Sequence, residues 1–112
     1  MRSTLRAALL TGLLALVVTA SPAAAAKVTF RFQPVIGGVS SVSVAGDFNG
    51  WSVTTDPLTR GADGAWSIVK ALPAGTHAYK FVVDGTTWKP DDANPASADD
   101  GFGGKNSIVT VP

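Results

Sequence analysis

Two tryptophans and a lysine are the residues of this sequence best suited to hold a ligand. Trp51 leaves the tight turn Gly46-Asp-Phe-Asn-Gly-Trp51 with Ser52 behind it, and Trp88 follows Thr86-Thr87 and precedes Lys89-Pro90. Neither has the apolar sequence neighbours of a strand interior. An indole carried on a turn is either a plug over the edge of a core or a flat platform. As a platform it suits sugars, because the apolar C–H face of a pyranose packs on the electron-rich ring face while nearby donors and acceptors take the hydroxyls. Lys80 lies on the strand face opposite Tyr79 and Phe81, one hairpin from Trp88, and offers such a donor. Trp66 alternates with Ile68 in mid-strand and reads as core.

Catalytic chemistry has little to work with. His77 is the single histidine and shares its strand face with Tyr79 and Phe81, which reads as structural. The chain has no Cys and no Glu, and no serine sits in a Gly-x-Ser-x-Gly turn. The pairs Asp91-Asp92 and Asp99-Asp100 stand in a loop with nothing to set one pKa against the other, and their spacing matches no calcium loop. They read as a solvated acidic loop. The expectation is no enzyme, no metal and no cofactor. Without a basic patch or aromatics interleaved with Arg and Lys, nucleic acid is not an expected partner.

The elements that must position these residues are short strands. Val28, Phe30 and Phe32 alternate with Thr29, Arg31 and Gln33, a half-buried strand ended by Pro34. Gly37-Gly38 predicts a hairpin into a strand at about 41–46, where Val42 and Val44 alternate with Ser41 and Ser43. Pro57 marks an irregular or edge segment at 53–58, and 59–64 reads as a loop closing on Asp63-Gly64. Strands follow at 65–72 and 76–83. In the second, His77, Tyr79, Phe81 and Val83 face one way and Ala78, Lys80 and Val82 the other. Asp84-Gly85 is a strong hairpin signal before Trp88. Residues 89–105 form the longest irregular stretch, and 106–111 the closing strand. Seven or so short strands without helical period predict an antiparallel β-sandwich of one domain.

The first quarter stands apart. Arg2 and Arg6 begin it, an apolar run covers Ala7–Ala20, and Ala24-Ala25-Ala26 supplies a small-residue cleavage pattern. This order predicts a signal peptide over residues 1–26, cleaved near Ala26, because the run falls short of the roughly 20 residues that span a bilayer. Losing the two arginines turns the formal charge of +1 into about −1. The mature domain over 27–112 is expected to be secreted or periplasmic, with no membrane association after cleavage and no cysteine for a lipid anchor.

The segments Val42-Ser-Val-Ala-Gly-Asp-Phe-Asn-Gly-Trp51, Asp63-Gly-Ala-Trp66, Leu72-Pro-Ala-Gly-Thr-His-Ala-Tyr-Lys-Phe-Val-Val-Asp-Gly85 and Asn106-Ser-Ile-Val109 occur in an order that resembles family 48 carbohydrate-binding modules. That family contains the immunoglobulin-like, early-set domains of isoamylases and branching enzymes and the glycogen-binding domain of AMP-activated kinase β subunits. The resemblance covers about Val28 to Val111. It implies an α-1,4-glucan ligand (glycogen, starch or maltooligosaccharides) stacked on Trp51 and Trp88, with Lys80 and Asn106 binding hydroxyls and Phe102 in place of a leucine that threads the helical glucan. Two departures stand out. A threonine of the family's sugar site falls on Gly104, and the hairpin carries an extra residue at Thr86-Thr87. Family members are usually joined to an amylase-like barrel or a kinase subunit, whereas this one is expected to be exported alone.

Two functions are therefore expected in competition. One is a secreted, non-catalytic α-glucan-binding module. The other is an exported adaptor that docks a separately encoded, carbohydrate-active partner without binding sugar. A groove with both indoles angled toward Lys80 favours the first, and a large exposed apolar patch around them favours the second.

Overall fold

The computed structural model describes residues 25–112, so the leader assigned to 1–26 lies outside the described residues except for its last two. Ala26 already opens a strand and pairs with Leu72. Cleavage after Ala26 would shorten that strand by one residue.

The described chain is all-β. Eight strands run in order: β1 (Ala26–Phe32), β2 (Val42–Gly46), β3 (Thr59–Arg60), β4 (Trp66–Leu72), β5 (Gly75–Val83), β6 (Thr87–Lys89), β7 (Ser97–Asp99) and β8 (Lys105–Val111), with one 3-10 turn at Asp47–Asn49. They form two antiparallel sheets. The smaller has the order β1-β4-β3. The larger has the order β2-β5-β8-β7, with β6 pairing the second half of β5 on the edge whose first half pairs β8. The two layers share one core. Phe30, Trp66 and Leu72 from the small sheet meet Val42, Val44, Tyr79, Phe81 and Val111 from the large one.

The alternation read from β5 accounts for this arrangement. His77, Tyr79 and Phe81 are buried toward the core, where the Phe30 ring meets Tyr79 edge-on at 4.8 Å and Phe32 meets Phe81 at 5.3 Å. Lys80 and Val82 point to the opposite face, as the two-residue period requires. Trp88 pairs directly with Val82 across β5 and β6 and shares that outer face. Ser107 is buried opposite Tyr79, which turns its neighbour Asn106 outward as well.

Three expectations about the frame change. Gly37-Gly38 is not a hairpin, because β1 pairs β4 and β2 pairs β5; residues 33–41 carry the chain from one sheet to the other. Two-residue glycine turns fit either connection, and only the pairing partners decide. The loop expected at 59–64 begins with β3, paired to β4 through Thr59–Ser67 and Arg60–Trp66. The stretch 89–105, expected to be irregular, contains β7, which pairs with β8 through Ala98–Asn106. Pro57 does lie on an edge: it bridges Ser43, while the Val44 and Leu58 amides donate to the Asp56 and Val42 carbonyls at 3.0 and 2.8 Å. A proline is tolerated there because its missing N–H faces away from the sheet.

Candidate functional site

The outer face of the large sheet carries a groove of about 560 Å³ lined by Trp51, Lys80, Trp88, Asp100, Phe102 and Asn106. All five residues singled out in the sequence line this one cavity. The sixth, Asp100, lies in the stretch that the sequence predicts to be a solvated acidic loop.

Trp51 is delivered by the turn that follows β2. Asn49 holds this turn with four hydrogen bonds: its Oδ1 accepts from the Gly46 and Ser52 amides at 3.1 and 3.2 Å, and its Nδ2 donates to the Val44 carbonyl at 3.0 Å and to Asp56 Oδ2 at 2.7 Å. Asp56 is itself buried and paired with Lys70 at 3.2 Å. Asp47 ties the other side, accepting from the Ala78 amide at 3.0 Å and contacting His77 Nδ1 at 3.2 Å. His77 Nε2 lies 2.8 Å from the Pro73 carbonyl oxygen, so the only histidine is consumed by structure. With the turn fixed on both sides, Trp51 adopts φ 60°, in the left-handed region that a bulky residue rarely enters. Such strain, about 1–3 kcal/mol, persists where the surroundings over-determine it, and it clusters at ligand-binding sites.

Trp88 comes from the β5–β6 hairpin, whose three-residue loop has Asp84 at φ 53° and Gly85 at φ 75°. The Asp84 carboxylate accepts from the Ser40 and Ser41 amides at 2.7 and 3.0 Å, which fastens the loop to the incoming β2. The extra threonine is absorbed in the loop, and Val82 still pairs with Trp88. Trp88 remains 43% exposed.

The third wall is the segment between β6 and β8. Tyr79 Oη donates to Asp91 Oδ2 at 2.6 Å and accepts from Asn94 Nδ2 at 3.0 Å, while Asn94 Nδ2 also reaches the Ile108 carbonyl at 2.8 Å. Burial and the Asp91 acceptor hold the Tyr79 phenol above its ordinary pKa. Farther on, Asp100 Oδ2 takes the Lys80 ammonium at 2.6 Å, and its Oδ1 accepts from the Phe102 and Gly104 amides at 2.7 and 3.0 Å. The Lys80 hydrogen bond first, and the two amides after it, bring the Asp100 pKa down to about 2. Phe102 at the tip is 93% exposed.

The reading of a solvated acidic loop is thus corrected for one member of each pair. Asp91 and Asp100 turn inward because Tyr79 and Lys80 wait for them on β5, whereas Asp99 pairs with Lys105 at the surface. No local signal announces this, since the partners lie 12 and 20 positions earlier. Chemically the groove offers three aromatic faces, an ammonium, a carboxylate and a carboxamide. That set can hold an uncharged, polyhydroxylated ligand with apolar faces.

Residues 27–112 match the family described as the glycogen recognition site of AMP-activated protein kinase. The chain is similar to subunit beta-1 of the 5'-AMP-activated protein kinase of Rattus norvegicus, at 38% identity over 81% of this chain and 31% of the relative. The corresponding subunit of Sus scrofa is 38% identical over 76% of this chain and 69% of that sequence. A 1,4-alpha-glucan branching enzyme of Corynebacterium jeikeium is 41% identical over 50% of this chain and 8% of the enzyme. Among the first of these relatives, the chain spans about a third of the length.

Proposed function

The chain belongs to the family of glycogen recognition modules, the family 48 carbohydrate-binding modules, and from that premise we propose that it is an exported, non-catalytic α-glucan-binding module of immunoglobulin-like, early-set topology. The ligand is glycogen, starch or a maltooligosaccharide. Its glucose units stack on Trp51 and Trp88, its hydroxyls meet Lys80 and Asn106, and Phe102 leans against the glucan chain. Export to the periplasm or medium rests on the order of basic start, apolar run and small residues over 1–26.

One observation carries the reading: an indole from the turn after β2, an indole from the short strand β6 and a lysine from β5 line a single groove. An indole serving only to plug the core edge would have no need of the Lys80, Asn106 and Asp100 polar groups around it. Each ring stack is worth about 0.5–1.5 kcal/mol beyond area burial, and ordering a flexible glucan opposes it. The expected Kd is therefore micromolar to millimolar.

Titrating the protein with maltoheptaose by calorimetry, or running it through native gels containing glycogen, tests this. Saturable binding that disappears in the Trp51→Ala/Trp88→Ala double variant is the expected result. Binding that survives the double substitution refutes the site, and no binding by the unaltered protein favours the adaptor reading, in which the groove face docks a carbohydrate-active partner.

A further inference from the structure

The site holds a residue that neither the tryptophan pattern nor the family motifs point to. We infer that Asp100 is a further sugar-contacting residue, whose groove-facing oxygen accepts a hydroxyl hydrogen bond from the same glucose unit to which Lys80 donates. This rests on the α-glucan reading above and gives it a chemical specificity.

The two carboxylate oxygens divide their work. Oδ1 is fully occupied by the Phe102 and Gly104 amides, whereas Oδ2 receives only Lys80. A carboxylate oxygen accepts about two hydrogen bonds and an ammonium donates three, so the pair keeps one acceptor and two donors to offer. Asp100 and Lys80 side chains are only 10% and 15% exposed, and both line the groove. Adjacent hydroxyls of a pyranose, each both donor and acceptor, match an acceptor and a donor set 2.6 Å apart. The pair also has no net charge. It therefore suits a neutral glucan, whereas a lone Lys80 would equally attract a sulfated or carboxylated one.

Gly104 is the second observation. Its backbone does not lie in the left-handed region, so a side chain there meets no backbone strain. A Cβ would instead stand 2.8 Å from Asp100 Oδ2 and 3.5 Å from its carboxyl carbon. The absence of a side chain at 104 leaves room for the carboxylate that Lys80 holds. The departure from the family pattern at Gly104 and the inward turn of Asp100 are one feature: a carboxylate occupies the space next to Lys80 that a threonine at 104 would require.

The test uses the full protein, maltoheptaose, and a set of maltotriosides each lacking one hydroxyl. Asp100→Asn keeps an Oδ1 for the two amides and removes the groove-facing acceptor. It also takes from Lys80 its carboxylate partner, so the melting temperature should fall by about 4 °C while maltoheptaose binding weakens about tenfold. One deoxy sugar should lose affinity for the unaltered protein and show no further loss for Asp100→Asn, a coupling that a merely structural aspartate would not produce. Gly104→Thr should weaken binding by a similar factor, and should cost nothing further in an Asp100→Ser background. If Asp100→Asn binds as the unaltered protein does, or if it weakens all the deoxy sugars equally, the inference fails while the glucan reading stands. If the unaltered protein binds no glucan, both fail.

Discussion

Gly46 precedes the turn that carries Trp51 and Gly104 follows the arm that carries Phe102, and each leaves no room for a methyl group, for opposite reasons. A Cβ on Gly46 would lie 2.5 Å from the Phe48 ring and 2.6 Å from the Ala78 carbonyl oxygen. The second belongs to the backbone of β5, which cannot give way. A Cβ on Gly104 would meet only the Asp100 carboxylate, which can move if it surrenders its partners. The turn bearing Trp51 is thus set by the fold, while the arm bearing Phe102 is set by the site itself. One end of the groove keeps its shape whatever the ligand chemistry demands. The other keeps its shape only as long as the side chain at 100 keeps its two amide partners.

The sharpest break of this contrast comes from Gly46→Ala. Overpacking against the Ala78 carbonyl should cost about 3 kcal/mol, read as a lower denaturant midpoint, whereas Gly104→Ala, which displaces only the Asp100 carboxylate, should lower that midpoint far less and show its main effect in glucan affinity. Next in size, Asn49→Ala removes four hydrogen bonds from the Trp51 turn and leaves part-buried Asp56 and the Val44 carbonyl short of a donor. The expected loss is about 2 kcal/mol of unfolding free energy by urea titration, together with weaker glucan binding as Trp51 is released. Phe102→Ala should do the reverse. Its ring is in water, so stability should change by less than about 0.5 kcal/mol, while maltoheptaose affinity falls by about 0.5–1.5 kcal/mol in calorimetry.

The smallest expected effect is that of pH. The Asp100 pKa is lowered to about 2 from its ordinary 3.8, chiefly by Lys80. A depressed carboxylate contributes its stabilisation above the ordinary value and loses it as pH falls through the lowered one. Amide signals of Phe102 and Gly104 should therefore stay constant from neutral pH down to about 4 and shift only on approach to pH 2. Signals of the Gly46–Trp51 turn should not follow that titration. If they did, the two ends of the groove would not be independent.

Much of this molecule was legible in one dimension. Alternation in Thr76–Val83 assigned Tyr79 and Phe81 inward and Lys80 outward before any pairing was known, because a strand offers its side chains only two directions. Asp84-Gly85 fixed the hairpin that sets Trp88 beside Val82, because both residues can take positive φ. The turn after Val44 was equally plain from Gly46, Asp47, Asn49 and Gly50, although the role of Asn49 as its central tie was not. What Gly37-Gly38 connects was misread, since a glycine pair states that the chain bends and says nothing about which strand it bends toward.

The order of residues alone therefore determined the longer strands, their inward faces, the turns beside the two indoles and Lys80 as a donor near them. These are local matters of periodicity and backbone freedom. Only the tertiary structure decided that Trp51, Trp88 and Phe102 share one groove, and that Asp91 and Asp100 leave the water for Tyr79 and Lys80. An ion pair between β5 and an arm 20 positions away depends on how the sheet stacks its neighbours. Strand pairing is a long-range choice, made by burial across the whole core.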